Sequence, residues 1–197
     1  MKDILPPEVR IMIAVAFRST LAATLVALTL AAPVQAAEYR DTDVAMTVQE
    51  DLDLSRYLGT WYEIARFPNR FEQGCAAVTA EYSPLPKDRI KVVNSCRKGG
   101  VTGPLETVEG VARVAGPGKL EVNFVSWLRL LPFTWGDYWV LDVDADYQVA
   151  VIGTPKGKQG WILARTPNIS ATELEAAKAV LRKNGYDTGA LEMVPQN

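Results

Sequence analysis

The sequence predicts an all-β protein, an eight-stranded antiparallel up-and-down barrel with one C-terminal α-helix packed outside it. Eight short runs rich in Val, Ile, Tyr, Trp and Thr follow one another between residues 61 and 165, as expected of strands. The segments between them carry the Gly, Pro and Asp of tight turns, and short turns make successive strands antiparallel neighbours. Closure of eight strands removes the exposed sheet edges and leaves room for one small ligand. A β-sandwich is the alternative that the same pattern allows.

The composition restricts the possible functions. The length of 197 residues predicts one domain. The sequence has two cysteines and no histidine, which excludes a Ser-His-Asp triad and a histidine-ligated metal. The net charge of −2 provides no basic footprint for nucleic acid. A binding protein remains, or an enzyme that uses carboxylates, Lys or Tyr. No cofactor and no metal is predicted.

The N-terminus has the pattern of a secretory signal peptide. Two arginines precede an apolar run at 21–32, which is shorter than the roughly 20 residues that span a bilayer. Val34 and Ala36 fit a signal-peptidase site, and translation starts at Met1 or at Met12. The alternative is a membrane anchor that is never cleaved.

Three segments are therefore expected: a signal peptide at 1–36, an N-terminal extension at 37–50 and the barrel domain at 51–197. No cysteine directly follows the apolar run, as a bacterial lipoprotein would require. The sequence therefore predicts a periplasmic protein that is not a lipoprotein.

The two cysteines are predicted to form a disulfide. An exported protein meets an oxidising compartment. In addition, a hairpin folded at 84–87 places Cys75 opposite Cys96, within disulfide reach. The same register pairs Val78 with Val93. The alternative is that Cys75 is a reactive thiol, as in a barrel isomerase.

One amphipathic helix is predicted near the C-terminus. Ser170 and Glu173 form a capping box at its start, and Gly185 marks its end. The apolar residues recur at intervals of three and four, at Leu174, Ala177, Val180 and Leu181. Such a stripe is typical of a helix that packs on a sheet.

Three sequence elements, in order and at barrel spacing, resemble those of the lipocalin family. A Gly-X-Trp element at Gly59 and Trp61 opens the first strand. An Asp-Tyr element at Asp137 and Tyr138 lies on the sixth strand, and Arg165 ends the eighth. The longer string around the first element is similar to the bacterial branch of the family and also to apolipoprotein D. The resemblance covers about residues 51–195.

The resemblance implies a cup for an amphipathic lipid, a fatty acid or a lysophospholipid. The implied function is binding, storage or transport of that lipid in the cell envelope, in support of membrane maintenance. Because the residues form no recognisable catalytic constellation, the chain is expected not to be an enzyme. Two alternatives stay open: a lipid-modifying or isomerase enzyme on a lipocalin barrel, and a protein-interaction module whose barrel is occluded.

The resemblance also implies structural roles for the motif residues. Trp61 and Arg165 look like the family's floor pair, with the guanidinium over the indole face. The remaining donors of Arg165 are expected to bind carbonyls of the turn at 53–57. Gly59 is expected to serve backbone geometry, and Arg165 has ligand binding as its alternative role.

Three residues of the first strand are candidate ligand contacts. Alternation places Glu63 and Ala65 on the same face as Trp61, towards the interior. A buried Glu63 needs a partner such as Tyr or Arg, and it either orients the polar end of a ligand or makes an internal hydrogen bond. Arg66 lies nearer the open end, where it either meets a carboxylate or phosphate or is an exposed rim residue.

The connection before the sixth strand is unusually apolar. Trp127 and Trp135, followed by Tyr138, are candidate ligand contacts at the cup entrance. A contiguous apolar patch in an exposed connection usually marks a binding surface. Transient membrane contact, a homodimer seam and a plug that closes the barrel end are the other interpretations.

Overall fold

The structure is a computed structural model that describes residues 38–197; the predicted signal peptide lies outside the described residues. The described chain begins with an extended segment and a short helix, α1 (Leu54–Tyr57). The strands follow in order: β1 (Gly59–Arg66), β2 (Cys75–Leu85), β3 (Arg89–Lys98), β4 (Leu105–Gly116), β5 (Lys119–Asn123), β6 (Gly136–Val143), β7 (Val149–Gly153) and β8 (Gly160–Ala164). Helix α2 (Ala171–Lys183) and a two-residue strand, β9 (Glu192–Met193), complete the fold.

The eight long strands form a closed antiparallel barrel, so the predicted fold is confirmed. Each strand pairs with the next, and β1 pairs with both β2 and β8, which closes the sheet. The pairing of β1 with β2 covers only the first half of β1, and β9 pairs with the second half at Ala65 and Arg66. The C-terminal strand thus covers an edge where β1 and β2 diverge.

The two ends of the barrel differ because up-and-down strands alternate in direction. We call one end the closed end: it holds α1 and the connections 86–88, 117–118 and 144–148. We call the other the open end: it holds the connections 67–74, 99–104, 124–135 and 154–159. The open-end connections are on average longer, and the connection 124–135 contains two 3₁₀ turns, Ser126–Leu128 and Pro132–Thr134.

Alternation along the strands produces two cores. The enclosed core lies inside the barrel and includes Trp61, Val92, Ala112 and Leu120. The outer core lies between the barrel and α2, to which the helix contributes the buried Ala177 and Leu181, among others. Full burial of a leucine side chain such as Leu181 contributes about 1.5–3 kcal/mol, so α2 is held by its apolar stripe, as predicted.

The ends of α2 also follow the sequence pattern. Ser170 accepts a hydrogen bond from the Glu173 backbone, and the Glu173 carboxylate accepts one from the Ser170 backbone. The helix stops before Gly185, whose φ of +84° lies in the left-handed region that favours glycine. Among residues 38–197, no helix is long and apolar enough to cross a membrane.

The disulfide between Cys75 and Cys96 is confirmed, with a Cα–Cα distance of 5.3 Å. The register predicted for its hairpin is wrong. Cys75 lies opposite Lys98, and Thr79 lies opposite Ser95, so the two cysteines are offset neighbours rather than directly opposed.

Two local features shift this register. The turn lies at 86–88, where Lys87 and Asp88 both have positive φ, so the hairpin folds later than the proline pattern indicates. A bulge between Ala76 and Thr79 then reverses one residue of this offset, and Ala77 at its centre has a φ of 47°. A bulge of this kind leaves no clear signature in the sequence.

Candidate functional site: the barrel interior and its open end

The floor of the barrel is built around Trp61. The indole nitrogen donates a 2.7 Å hydrogen bond to the Tyr57 carbonyl of α1. The guanidinium carbon of Arg165 lies 3.8 Å from the centroid of the Trp61 ring, the cation–π arrangement expected from the sequence.

Arg165 also joins α1 to the first strand. Its guanidinium donates to the carbonyls of Arg56 at 2.6 Å, Leu58 at 2.9 Å and Thr60 at 2.8 Å. Gly59 has a φ of +95°, and a Cβ there would lie 3.4 Å from the guanidinium. The Nε atom donates to the Tyr147 carbonyl at 3.3 Å, so every guanidinium nitrogen of Arg165 donates within the floor, which favours the structural role over a ligand contact.

A cluster of three tyrosines lies above the floor, inside the barrel. The hydroxyl of Tyr138 is 2.7 Å from that of Tyr57 and 3.0 Å from that of Tyr82. Burial raises the pKa of Tyr82 to about 12 and raises the pKa of Tyr57 and Tyr138 well above the ordinary value. The three hydroxyls are therefore neutral and can both donate and accept hydrogen bonds.

A buried ion pair lies nearer the open end. Glu63 and Arg66 are only 4% and 8% exposed, and their side chains meet at 3.0 Å. Arg66 also donates to the Cys75 carbonyl at 3.1 Å. Glu63 thus has the arginine partner that a buried carboxylate needs, and the interpretation of Arg66 as an exposed rim residue is wrong.

A second carboxylate, Glu72, reaches this ion pair from the connection 67–74. Glu72 accepts a 3.2 Å hydrogen bond from the Trp161 indole nitrogen and another from the Asn69 amide. Burial raises the pKa of Glu63 well above its ordinary value, and repulsion from Glu72 raises it further, against the lowering effect of Arg66. The connection is thereby attached to the interior of the barrel.

Sequence reasoning missed several of these residues. Trp161 stacks on Tyr138 with ring centroids 6.3 Å apart, so aromatic rings continue from the tyrosine cluster to Glu72. Trp161 lies two residues before Leu163, a member of the enclosed core, and alternation along β8 would have indicated its face. Glu72 carries no such signal, because it belongs to a connection.

The face predicted for Ala65 is wrong. Ala65 packs in the outer core, together with its neighbour Ile64. The cause is a bulge between Glu63 and Ala65 in the pairing of β1 with β8. The extra residue shifts the alternation, so that Glu63 and Arg66, three positions apart, meet on one side of the strand.

The apolar connection 124–135 extends into solvent. Trp127 is 80% exposed, Leu130 is 95% exposed and Phe133 is 80% exposed. Trp135 is half-buried: its indole donates to the Arg129 carbonyl at 3.1 Å. Trp135 therefore anchors the connection, while the other three side chains project from it, which disagrees with a plug that folds back into the barrel.

Two further predicted residues occupy β6 near the open end. Tyr138 lies in the tyrosine cluster of the interior, as a candidate ligand contact would. Asp137 is exposed and lies opposite Glu121 of β5, so the neighbouring positions of this motif face opposite sides of the sheet.

The first half of β4 is exposed to solvent at the open end. Residues 105–109 are exposed on both faces of the strand. Val108 shares its face with Ala112 of the enclosed core, since no bulge separates them, and it is 46% exposed. Thr107 lies on the opposite face. A molecule that enters the barrel past β4 would therefore meet Val108 and not Thr107.

A floor closed by Trp61 and Arg165, and an interior of apolar and aromatic side chains, define an eight-stranded barrel of the kind that holds one small ligand. A family model described as a lipocalin-like domain matches residues 52–196. The chain belongs to the lipocalin family, whose members bind small hydrophobic ligands and are mainly binding and transport proteins.

Three relatives indicate where the chain lies in this family. It is 40% identical to temperature-induced lipocalin-1 of Arabidopsis thaliana, over 77% of this chain and 83% of that protein. It is 37% identical to the outer membrane lipoprotein Blc of Escherichia coli (strain K12), over 77% and 83%. It is 31% identical to apolipoprotein D of Macaca fascicularis, over 76% and 79%.

Solved structures agree on the fold. Insecticyanin of Manduca sexta superposes with a TM-score of 0.59 at 23% identity, over 76% of this chain and 84% of that one. The cockroach allergen Per a 4 gives a TM-score of 0.60 at 18% identity, over 78% and 94%.

The predicted localisation is wrong. The bacterial relatives from Escherichia coli, Citrobacter freundii and Vibrio cholerae are outer membrane lipoproteins, which contradicts a periplasmic protein that is not a lipoprotein. The prediction rested on the absence of a cysteine directly after the apolar run at 21–32. That region lies outside the described residues, so no contact or geometry supported it.

Proposed function

We propose that this lipocalin binds and carries an amphipathic lipid, a fatty acid or a lysophospholipid, in the cell envelope in support of membrane maintenance. The observation that carries the proposal is the composition of the barrel interior. An apolar enclosed core adjoins a limited set of polar groups, namely the tyrosine cluster, the Glu63–Arg66 ion pair and Glu72. The names of two relatives, an outer membrane lipoprotein and an apolipoprotein, are consistent with a lipid ligand.

Hydrophobic transfer supplies the binding free energy in this proposal. At about 25 cal/mol per Å², an acyl chain that buries roughly 300 Å² of apolar area gains about 7 kcal/mol. Lost translational and rotational freedom reduces this gain. We expect micromolar affinity, about 8 kcal/mol, to which the polar groups of the interior must therefore also contribute; such affinity suits a carrier that must also release its ligand.

The polar groups of the interior would orient the ligand. The neutral hydroxyls of Tyr57, Tyr82 and Tyr138 can donate to a carboxyl or ester oxygen of the ligand, and they add no charge of their own to the interior. Arg66 already has two acceptors, Glu63 and the Cys75 carbonyl. We therefore assign orientation of the polar end to the tyrosines first and to Arg66 second.

Transient membrane contact through Trp127 and its neighbours belongs to the same proposal. A carrier must collect its lipid from a bilayer and return it there. The three exposed apolar side chains of the connection 124–135 lie at the open end, beside the opening through which an acyl chain would pass.

Two matched substitutions on neighbouring residues of β4 test lipid binding. Val108→Trp places a large side chain on the interior face at the accessible end, and Thr107→Trp places it on the outer face. We expect wild type and Thr107→Trp to bind dodecanoate or lauroyl lysophosphatidylcholine with similar affinity in calorimetric titrations. Val108→Trp should bind at least about tenfold more weakly, because the indole occupies the space of the ligand. Failure of wild type to bind either lipid, or equal affinity of both variants, would contradict the proposal.

A further inference from the structure

The whole open end has the character of a docking face for a charged bilayer. We infer that the open end docks on an anionic lipid bilayer, with apolar side chains from two opposite connections inserted and basic side chains from the connections beside them at the headgroups. The inference rests on the proposed lipid carriage and deepens it by naming the surface with which lipid is exchanged.

The apolar contacts come from opposite sides of the barrel mouth. The strand order places the connection 67–74 across the mouth from the connection 124–135. The first carries Phe71, which is 65% exposed, and the second carries Trp127, Leu130 and Phe133. Two separated apolar contacts can hold the mouth parallel to a bilayer surface, whereas a single patch would leave the barrel free to tilt.

The charges of the open end differ from those of the whole chain. The four open-end connections contain four basic residues, Arg70, Arg129, Lys156 and Lys158, and one acidic residue, Glu72. Glu72 faces the interior, where it binds Trp161. The chain as a whole has a net charge of −2, so these four connections are more basic than the chain, even when Glu38, which pairs with Lys158, is counted with them.

The closed end has the opposite composition. Its connections 86–88, 117–118 and 144–148 contain three acidic residues, Asp88, Asp144 and Asp146, against Lys87 alone. Arg56 and Arg165 also lie at the closed end, where both donate to backbone carbonyls. An anionic surface would therefore attract the open-end connections more strongly than the closed-end connections. This asymmetry orients the barrel before any apolar contact is made.

The side chains of the open end are arranged for an interface. The Arg70 guanidinium lies 4.7 Å from the Phe71 ring centroid, so an inserted ring would bring the cation to the headgroups. Lys156 is exposed, and Lys158 forms only a half-exposed 3.8 Å pair with Glu38. Such a surface pair contributes little and does not hold Lys158 away from a stronger anionic partner.

Charge complementarity favours a bilayer over a second copy of the chain. Two copies facing each other through their open ends would bring basic connections together, which costs free energy. An anionic bilayer accommodates both the apolar and the basic side chains of the open end, because aromatic and aliphatic side chains enter the interface while Lys and Arg bind the lipid phosphates. The mouth would then face the lipids, and an acyl chain could enter without crossing water.

Vesicle binding by the full-length chain and matched variants tests the inference. The vesicles contain phosphatidylcholine alone or phosphatidylcholine with phosphatidylglycerol, and bound protein is measured by co-sedimentation. Arg70→Gln/Lys156→Gln removes two open-end charges, and Trp127→Ser/Phe133→Ser removes two apolar side chains. Lys87→Gln/Arg89→Gln, at the closed end, is the charge control. Residues 1–37 are common to all of these proteins, so differences in vesicle binding among them come from the substituted residues of the barrel.

We expect wild type to prefer the vesicles that contain phosphatidylglycerol. The open-end charge variant should lose about 25-fold in partitioning to these vesicles, since each basic residue at an anionic surface contributes about 1 kcal/mol, or fivefold. The apolar variant should lose about tenfold on both vesicles, and the closed-end control should match wild type. The two charge variants should keep the wild-type affinity for lauroyl lysophosphatidylcholine in solution, and the apolar variant should keep the circular dichroism spectrum and urea midpoint of wild type, which shows that all of them are folded.

Three results would overturn the inference. They are equal binding of wild type to both vesicles, equal losses in the open-end and closed-end charge variants, and dimerisation that depends on Trp127 and Phe133 without vesicle binding. Each of these results is compatible with normal lipid affinity in solution, so each would contradict the docking inference without contradicting the proposed lipid carriage. Failure of wild type to bind any soluble lipid would instead contradict the proposed function itself.

Discussion

At the scale of single residues, Arg165 connects separate parts of the closed end. Its guanidinium lies over Trp61 and donates to carbonyls of α1 and of the start of β1. It also donates to the Tyr147 carbonyl in the connection between β6 and β7, at 3.3 Å. These acceptors belong to separate elements, so one side chain fixes the floor against the strands around it.

Replacement of Arg165 by methionine should destabilise the fold by about 2–4 kcal/mol, because several partly buried carbonyls lose their donor. The measurement is urea unfolding followed by circular dichroism. Arg113→Met is the matched control, since the Arg113 guanidinium also lies over an indole ring, that of Trp135. Arg113 lies on the surface, where it forms an ion pair with Glu121. That change should cost less than about 1 kcal/mol. Equal losses in the two variants would contradict the role of Arg165 in the floor.

Glu63 makes the stability of the protein depend on pH. Its pKa is raised in the folded state by burial and by Glu72, so the folded chain holds this proton more tightly than the unfolded chain does. As the pH rises above about 4.5, the ordinary value, the unfolded chain loses the proton first. The contribution of Glu63 to stability therefore falls as the pH rises through this window.

Glu63→Gln has no proton to lose at this position and isolates the effect. We expect the free energy of unfolding of wild type, minus that of Glu63→Gln, to decrease steadily as the pH rises above about 4.5. Urea titrations at several pH values measure this difference. A constant difference, or one that grows with pH, would show that Arg66 lowers the Glu63 pKa more than burial and Glu72 raise it.

These residues show which single-residue contacts can be predicted from the sequence. The resemblance of the motif elements to those of the lipocalin family indicated Trp61, Arg165 and their contact. It did not indicate that Ala65 faces outwards, because one inserted residue in β1 reverses alternation without a marker. It also missed Glu72, since a residue in a connection has no periodicity from which its direction can be inferred.

At the scale of secondary-structure elements, the disulfide holds two strands together where the hairpin is irregular. Cys75 begins β2, and the bulge after Ala76 interrupts the pairing with β3. Both cysteines pack with Val78 and with Val194 from the C-terminal segment. The cross-link therefore stabilises the region in which β1 and β2 diverge and β9 takes over the edge.

Cys75→Ser/Cys96→Ser should lower the free energy of unfolding by about 3 kcal/mol, the value that chain entropy gives for a loop of this size. The loop spans 21 residues. Denaturant unfolding of the variant, compared with wild type with and without a reducing agent, measures the loss. Reduced wild type should resemble the variant. A loss below about 1 kcal/mol in both would mean that the C-terminal segment alone holds this edge.

Element predictions succeeded where the signal is local. The capping box and apolar stripe specify α2 almost residue by residue, because both depend on positions within one helix. The pairing of β2 with β3 was wrong, because register depends on where the turn forms and on a bulge ten residues away from it. The disulfide was nevertheless correct, since its reach tolerates an offset of two residues.

At the scale of the whole molecule, the barrel has two chemically different ends. One end is sealed by a cation–π contact and hydrogen bonds, and its connections are acidic. The connections of the other end carry exposed apolar and basic side chains. The number of strands and the short turns predicted closure from the sequence. The difference in charge between the two ends could not be predicted, because alternate connections along the chain lie at the same end only once the strands are paired.

Native mass spectrometry of the chain, purified without detergent, tests the central claim most directly. We predict a one-to-one adduct whose mass, after extraction, is that of a fatty acid or a lysophospholipid. The adduct should exchange with added lysophospholipid, as expected of a carrier with micromolar affinity. A chain that carries no adduct, and that forms none when fatty acid or lysophospholipid is added, would contradict lipid carriage and indicate a barrel filled by its own side chains.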